Sequence, residues 1–204
     1  MTIEEELERF KRFQLSYQFN QKEIIEVDGN LYCDGELLQE QDEKPVGESE
    51  KWINVGLKLK GDYSKVLSNL FPYEFTFRGK KLHSIESFFQ GIKMKDINLQ
   101  NEVFKYSGIE SNVIKLACEE DWKEKGILYC QGTPIKRDSK EYDDLVRELY
   151  ISAIQNPIFR NILKKVDKPI IHSIGKERKE ETVFTRVEFE YMLNSLVAFL
   201  KEEE

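Results

Sequence analysis

The residues with the most evident chemical potential lie on a short predicted helix that begins after Ser84. Ser84 is a good N-cap residue, which places the carboxylate of Glu86 in the first helical turn, where the helix dipole stabilises a negative charge by about 0.3–1 kcal/mol. Glu86, Gln90 and Lys93 are spaced at i, i+4 and i+7, so they form one polar stripe beside an apolar side. Such a stripe can meet a polar ligand, or it can be a solvated helix face.

The turn before this helix, residues 67–72, is polar but interrupted by apolar residues. A turn of this composition can present Asn69 and Phe71 to a planar ligand, with Ser68 beside them. Surface packing of Phe71 is an equal alternative.

Three further candidates lie later in the chain. Trp122 is predicted either to stack on a base or to pack against a helix end. Arg137 and Asp138 fall in a polar loop, where they can bind a phosphate and a ribose hydroxyl, or Asp138 can act as a second acid. Asp138 with Ser139 is also a plausible helix start.

A short predicted strand ends in a basic loop whose backbone amides, beside a glycine, can cradle a phosphate. The loop residues singled out for this are His172, Ser173, Gly175 and Lys176. Thr185 and Glu188 are explained by a capping box, and His83 is expected simply to precede a helix.

These residues need elements to position them, and the periodicity predicts a helix-dominated α+β fold. Helices are predicted over residues 84–95, 99–106, 111–125, 141–156, 157–166 and 185–202, and strands over 52–60, 73–77, 127–131 and 169–174. Residues 51–204 are expected to form a single domain, and residues 1–50 a small N-terminal β/helical extension. The extension has a capping-box helix at Thr2 and two Asp-Gly turns, and a partner-docking role is one alternative for it.

The charge is uneven along the 204 residues. The net charge is −7, but residues 1–50 hold 5 basic and 14 acidic side chains, whereas residues 51–204 have a balance of +2. A broad phosphate-binding surface is therefore not expected, although local basic clusters remain. Three scattered cysteines and two histidines argue against a disulfide framework or a metal site, and favour a reducing cytoplasm. No apolar run is long enough for a membrane span.

Several ordered blocks resemble the signature of the NADAR family, over roughly residues 64–200. They are Leu67 to Pro72, Gly79, Ser84-Ile85-Glu86 with Gln90 and Lys93, Asp121-Trp122, and residues 134–139, 155–160, 172–176 and 181–189. The resemblance implies an N-glycosidase that needs no cofactor or metal and cleaves bonds to ribose. One branch acts on ribosylamine phosphates of the riboflavin pathway, and another removes ADP-ribose from guanine, in some members as an antitoxin.

Two departures favour the guanine branch. Ser87 stands where the first branch has a histidine, and a late Trp-Gly-x-Gly block is missing. The expected substrate is an ADP-ribosylated guanine nucleotide or DNA, with a cognate ADP-ribosyltransferase as an expected partner. The alternatives are the riboflavin-pathway substrates and a non-catalytic ADP-ribose-binding module.

The resemblance also implies roles for the polar stripe. Both substrates join C1 of ribose to an exocyclic amine, so an oxocarbenium-like path needs a carboxylate and a proton source. Glu86 is the expected carboxylate, which steers water or stabilises the cation. Lys93 is the expected nucleophile of a second route through a Schiff base, or else a surface lysine.

Overall fold

The computed structural model describes residues 2–108, 110 and 121–202. Helices are found at α1 Ile3–Ser16, α2 Asp62–Val66, α3 Ile85–Gly91, α4 Ile97–Val103, α5 Asp121–Glu124, α6 Lys140–Ala153, α7 Pro157–Lys165 and α8 Arg186–Lys201. Strands are found at β1 Ile24–Val27, β2 Asn30–Cys33, β3 Glu36–Gln39, β4 Ile53–Asn54, β5 Phe75–Phe77, β6 Lys80–Leu82, β7 Ile127–Cys130, β8 Thr133–Lys136 and β9 Ile170–Ile171. The α+β class is confirmed. Of the helix predicted over 111–125, residues 111–120 lie outside the described residues.

Local capping explains where the longer helices begin. Asn156 caps α7 and Pro157 follows at its first position, which suits a residue without an N–H. Thr185 caps α8, and the side chain of Glu188 returns a hydrogen bond to the cap backbone, so the predicted capping box is confirmed. These helices enclose an apolar core that includes Leu149 of α6 and Leu196 of α8.

The strands form small separate sheets. The antiparallel pairs are β1-β2-β3, β5-β6 and β7-β8, and β4 pairs in parallel with β9. Arg78 and Gly79 both have positive φ in the turn between β5 and β6, the geometry that favours tight hairpins. The strand predicted over 52–60 is shorter than expected, because the chain turns after Asn54 and enters α2. Strand β8 was not predicted, since Pro134 lowers its β propensity.

The N-terminal segment packs onto the rest of the fold. Phe10 of α1 is fully buried, and its ring centroid lies 5.2 Å from that of Phe199 in α8. On the same helix, Glu6 forms a 2.8 Å ion pair with Arg160 of α7. Strands β1 to β3 bury one face against β9 through a second apolar cluster, which comprises Cys33, Leu38, Trp52 and Ile171 with Ile24 and Leu31. Helix α1 and this sheet therefore share apolar contacts with the segment that follows residue 50.

In the described part of the chain, no helix combines the length and the apolarity needed to cross a bilayer.

Candidate functional site

A cavity of about 310 Å³ lies between the start of α3, the turn before it, the loop after β9 and the segment that leads into α8. Eight of the predicted site residues line it: Ser68, Asn69, Glu86, Gln90, Lys93, His172, Gly175 and Lys176. Residues separated by about a hundred positions in sequence therefore meet at one site, as the sequence analysis required.

The polar stripe of α3 forms a hydrogen-bonded chain on the cavity wall. Lys93 Nζ donates to Gln90 Oε1 over 3.0 Å, and Gln90 Nε2 donates to Glu86 Oε1 over 2.5 Å. Gln90 is 3% exposed and Lys93 is 9% exposed, so this is not a solvated helix face. The ammonium of Lys93 also lies 5.0 Å from the ring centroid of Trp122, within the range of a cation–π contact.

Backbone and cap contacts hold this chain in place. Ser84 caps α3 by accepting from Ser87 N, as predicted. Glu86 N donates to the carbonyl of Asn69 over 2.9 Å, which ties the preceding turn to the helix start. Helix α3 ends at Gly91, so Lys93 lies in the turn beyond it, and its backbone N–H reaches the carbonyl of Gln90.

The side chain of Asn69 is oriented by a tyrosine from α6. Tyr150 OH donates to Asn69 Oδ1 over 2.7 Å. Burial raises the pKa of the Tyr150 hydroxyl well above its ordinary value, so this hydroxyl remains a donor. With Oδ1 turned to Tyr150, the amide NH₂ of Asn69 becomes the group available to the cavity.

His172 lines the opposite wall and is held on several sides. Its Nδ1 lies 2.8 Å from the carbonyl of Val55, its backbone N–H donates to Glu190 over 2.8 Å, and its ring packs on Phe189 at 4.7 Å between centroids. Burial, and more weakly the charge of Arg186, lower the pKa of His172, which outweighs the raising effect of the Val55 carbonyl. The imidazole is therefore neutral at pH 7.

A buried ion pair on α8 supports this loop, and the sequence analysis missed it. Arg186 Nη1 lies 3.1 Å from Glu190 Oε1, and Glu190 is fully buried. Burial raises the pKa of Glu190, while Arg186 and the His172 N–H oppose that shift. Arg186 also donates from Nε to Glu177, and from its backbone to the carbonyl of Lys176. A charged i, i+4 pair on the apolar face of a predicted helix was the available signal.

Five predicted residues are not among those lining the cavity. Arg137 is buried beneath Tyr142 and forms a 2.5 Å ion pair with Glu188, so it is not positioned to bind a phosphate. Asp138 is exposed, and its ion pair with Lys179 keeps the pKa of its carboxyl below the ordinary value. An exposed, ionised carboxylate outside the cavity is not the second acid, and that prediction is wrong.

The remaining three have structural contacts instead. Ser173 N donates to Asn54 Oδ1 over 3.0 Å, and its hydroxyl accepts from the same amide. Phe71 packs beside Tyr73, at 5.9 Å between ring centroids. Trp122 contacts the site only through Lys93. The ring that does line the cavity beside Phe89 is Phe184, stacked on it at 5.0 Å.

Within the described ranges, no three His, Cys, Asp or Glu side chains are grouped as metal ligands. Cys33 and Cys130 are buried free thiols.

Comparison with known proteins identifies a phage family. A family model described as bacteriophage protein GP30.3 matches residues 62–197. A similar relative from Enterobacteria phage T4 is titled "Uncharacterized 17.1 kDa protein in Gp30-rIII intergenic region". It is 32% identical over 136 residues, which cover 65% of this chain and 89% of the relative. No solved structure matches.

These matches overturn the NADAR resemblance, and that assignment is wrong. The blocks that suggested it are short, and several have purely local explanations. The Ser84 and Glu86 pattern is an N-cap with a first-turn acid, the residues around Asn156 form another cap, and Thr185 with Glu188 is a capping box. Such signals recur wherever helices begin, so their order along a chain is weak evidence of a family.

Proposed function

Because the chain belongs to the bacteriophage GP30.3 family, whose matched relative has a title without an activity, we propose a function from the site alone. The protein is a hydrolase of N-glycosidic bonds to ribose. The observation that carries this proposal is the buried chain from Lys93 through Gln90 to Glu86 on the wall of the cavity. It places an ammonium and a carboxylate in one partly dry site, the pair that cleavage of a ribosylamine needs.

Each end of the chain suits one part of the reaction. Water adds to C1 of the ribose, the C1–N bond breaks, and its electron pair goes to the amine, which takes up a proton. Lys93 donates to Gln90 and faces the Trp122 ring, contacts that suit its ammonium form and therefore a proton donor to the leaving amine. Glu86 is suited to stabilise the positive charge that develops at C1, or to direct the water.

The proposed substrate is ADP-ribose joined to the exocyclic amine of guanine, in DNA or a nucleotide. The cavity, at about 310 Å³, is near the lower end of the range for small-molecule sites, so it suits the ribosyl group alone. The diphosphate then extends past the rim, where Lys176 is exposed. The same small volume favours a second candidate, a ribosylamine phosphate without the adenosine.

We place this reaction in the cytoplasm, where a buried free thiol such as Cys33 stays reduced, with the ADP-ribosyltransferase that makes the adduct as the functional partner.

The decisive assay measures release of free ADP-ribose from an ADP-ribosylated guanine oligonucleotide by chromatography. Glu86→Gln and Lys93→Met are each expected to reduce turnover about 10²- to 10⁴-fold, the usual effect of losing a general acid or base. Glu102→Gln and Lys95→Met are matched controls, because both side chains are exposed outside the cavity, and they should leave turnover unchanged.

Two results would contradict the proposal. Release from neither candidate substrate, combined with tight binding of ADP-ribose in a calorimeter, would identify a binding module instead of an enzyme. Near-normal turnover by Glu86→Gln would remove the catalytic assignment. Borohydride trapping of a ribosyl adduct on Lys93 would replace the proton-donor role by the Schiff-base route.

A further inference from the structure

His172 has two ring nitrogens in different environments, and the structure assigns their protonation. Nδ1 lies 2.8 Å from the carbonyl oxygen of Val55. A carbonyl oxygen has no hydrogen to give, so the proton in this bond belongs to Nδ1. In the neutral ring, Nε2 then carries a lone pair and is a hydrogen-bond acceptor.

The acceptor nitrogen is open to the cavity. Within the described ranges Nε2 has no hydrogen-bond partner, and it is not one of the fully enclosed unpaired atoms, while His172 itself lines the cavity. The loop can fold back along this edge of the ring because residue 175 is glycine. A Cβ there would lie 2.5 Å from His172 Cδ2, the carbon beside Nε2.

The surroundings keep the ring neutral and fixed. Arg186 is the charged group whose field reaches the ring, and Glu190, which holds the backbone N–H of His172, is itself paired with Arg186. Phe189 from the same helix covers one face of the ring. Val55 bonds Nδ1 from the segment after β4, and the exposed Lys176 follows on the ring's own loop.

We propose that His172 is a specificity residue whose Nε2 accepts a hydrogen bond from a sugar hydroxyl of the ligand. This inference rests on the proposed ribosyl substrate. A neutral acceptor favours a hydroxyl and disfavours a phosphate oxygen, which has lone pairs and no hydrogen to donate. It therefore reverses the expectation that the loop beginning at His172 cradles a phosphate, and leaves that role to Lys176 at the rim.

The first test needs no turnover. With ¹⁵N-labelled protein, long-range proton–nitrogen correlation spectra report the ring nitrogens of both histidines, and His83→Asn assigns them. At pH 7.5 we expect His172 to show a protonated Nδ1 and an unprotonated Nε2. Saturation with ADP-ribose should shift the Nε2 resonance, whereas ADP, which lacks the terminal ribose, should leave it nearly unchanged. A proton on Nε2, or an equal response to ADP, would overturn the inference.

The second test uses two isosteric variants and calorimetry with ADP-ribose as the probe. His172→Asn keeps an N–H at the position that bonds Val55 and removes the acceptor, so the affinity should fall about 2- to 13-fold. His172→Gln can place its amide oxygen where Nε2 lies, and should recover part of the affinity. Equal affinity in His172→Asn, or no binding to the wild-type protein, would refute the assignment.

The two proposals fail separately. If the protein binds ADP-ribose with the expected Nε2 response but releases nothing from ADP-ribosylated guanine, hydrolysis is wrong and the sugar contact remains. If release occurs but His172→Asn binds ADP-ribose as tightly as the wild type, the inference about His172 is wrong and the proposed reaction remains.

Discussion

Replacing Phe10 with alanine tests whether helix α1 is part of the folded core, although it precedes the segment that matches the phage family model. Phe10 is fully buried, and its ring lies 5.2 Å from that of Phe199 between centroids. Truncating a buried phenylalanine costs about 3–5 kcal/mol, the sum of lost apolar burial and the cavity left behind. For a chain of this length, that corresponds to a fall in melting temperature of roughly 6–20 °C.

The assay is urea and thermal unfolding followed by circular dichroism, with Leu15→Ala as the matched control. Leu15 lies on the same helix but is 89% exposed, so its replacement should change the free energy of unfolding by less than about 0.5 kcal/mol. A loss below about 1 kcal/mol for Phe10→Ala would refute the packing of α1. If the large loss is found, deletion of residues 1–50 is unsuitable for testing a partner-docking role, because it would destabilise the domain.

Two further predictions concern groups around the site. Burial raises the pKa of Glu188, but the hydrogen bond and charge of Arg137 outweigh it and hold that pKa below its ordinary value. Because the folded pKa is lowered, this stabilisation is present above about pH 4.3 and is lost as the pH falls through the folded value, so the unfolding free energy of Glu188→Gln should depend less steeply on pH below about 4.3. Tyr150→Phe should leave Asn69 Oδ1 unpaired at 2.7 Å from the lost hydroxyl, lowering stability by about 1–3 kcal/mol and weakening ADP-ribose binding in calorimetry. Unchanged ADP-ribose affinity in that variant would show that the amide of Asn69 does not contact the ligand.

The helix starts of this protein could be predicted because capping is local. Ser84, Asn156 and Thr185 each cap the helix that the sequence assigns to them, since a side-chain oxygen needs only the N–H groups of the next three residues. The turn at Arg78-Gly79 was predictable for the same reason. Short strands such as β4 and β8 were predicted poorly, because each is defined by its pairing partner and not by its own pattern.

Assignments that depended on distant contacts were less secure. Asp138 and Arg137 are neighbours in sequence, yet one is paired with Lys179 at the surface and the other is buried against Glu188. The sequence gives no indication of this difference, because both partners lie more than forty residues away. The NADAR resemblance failed for a related reason, since it rested on blocks whose spacing reflects helix starts as much as shared descent.

The sequence alone determined the α+β class, the capped helices and the order of Glu86, Gln90 and Lys93 on one stripe, because these follow from composition and periods of a few residues. Only the tertiary structure decided that the stripe is buried in a cavity, and that His172 presents an acceptor there. The bond that fixes the His172 ring joins residues 117 positions apart. Contacts over such distances arise when the core packs, so the local pattern specifies which groups are available and the packing decides which of them meet.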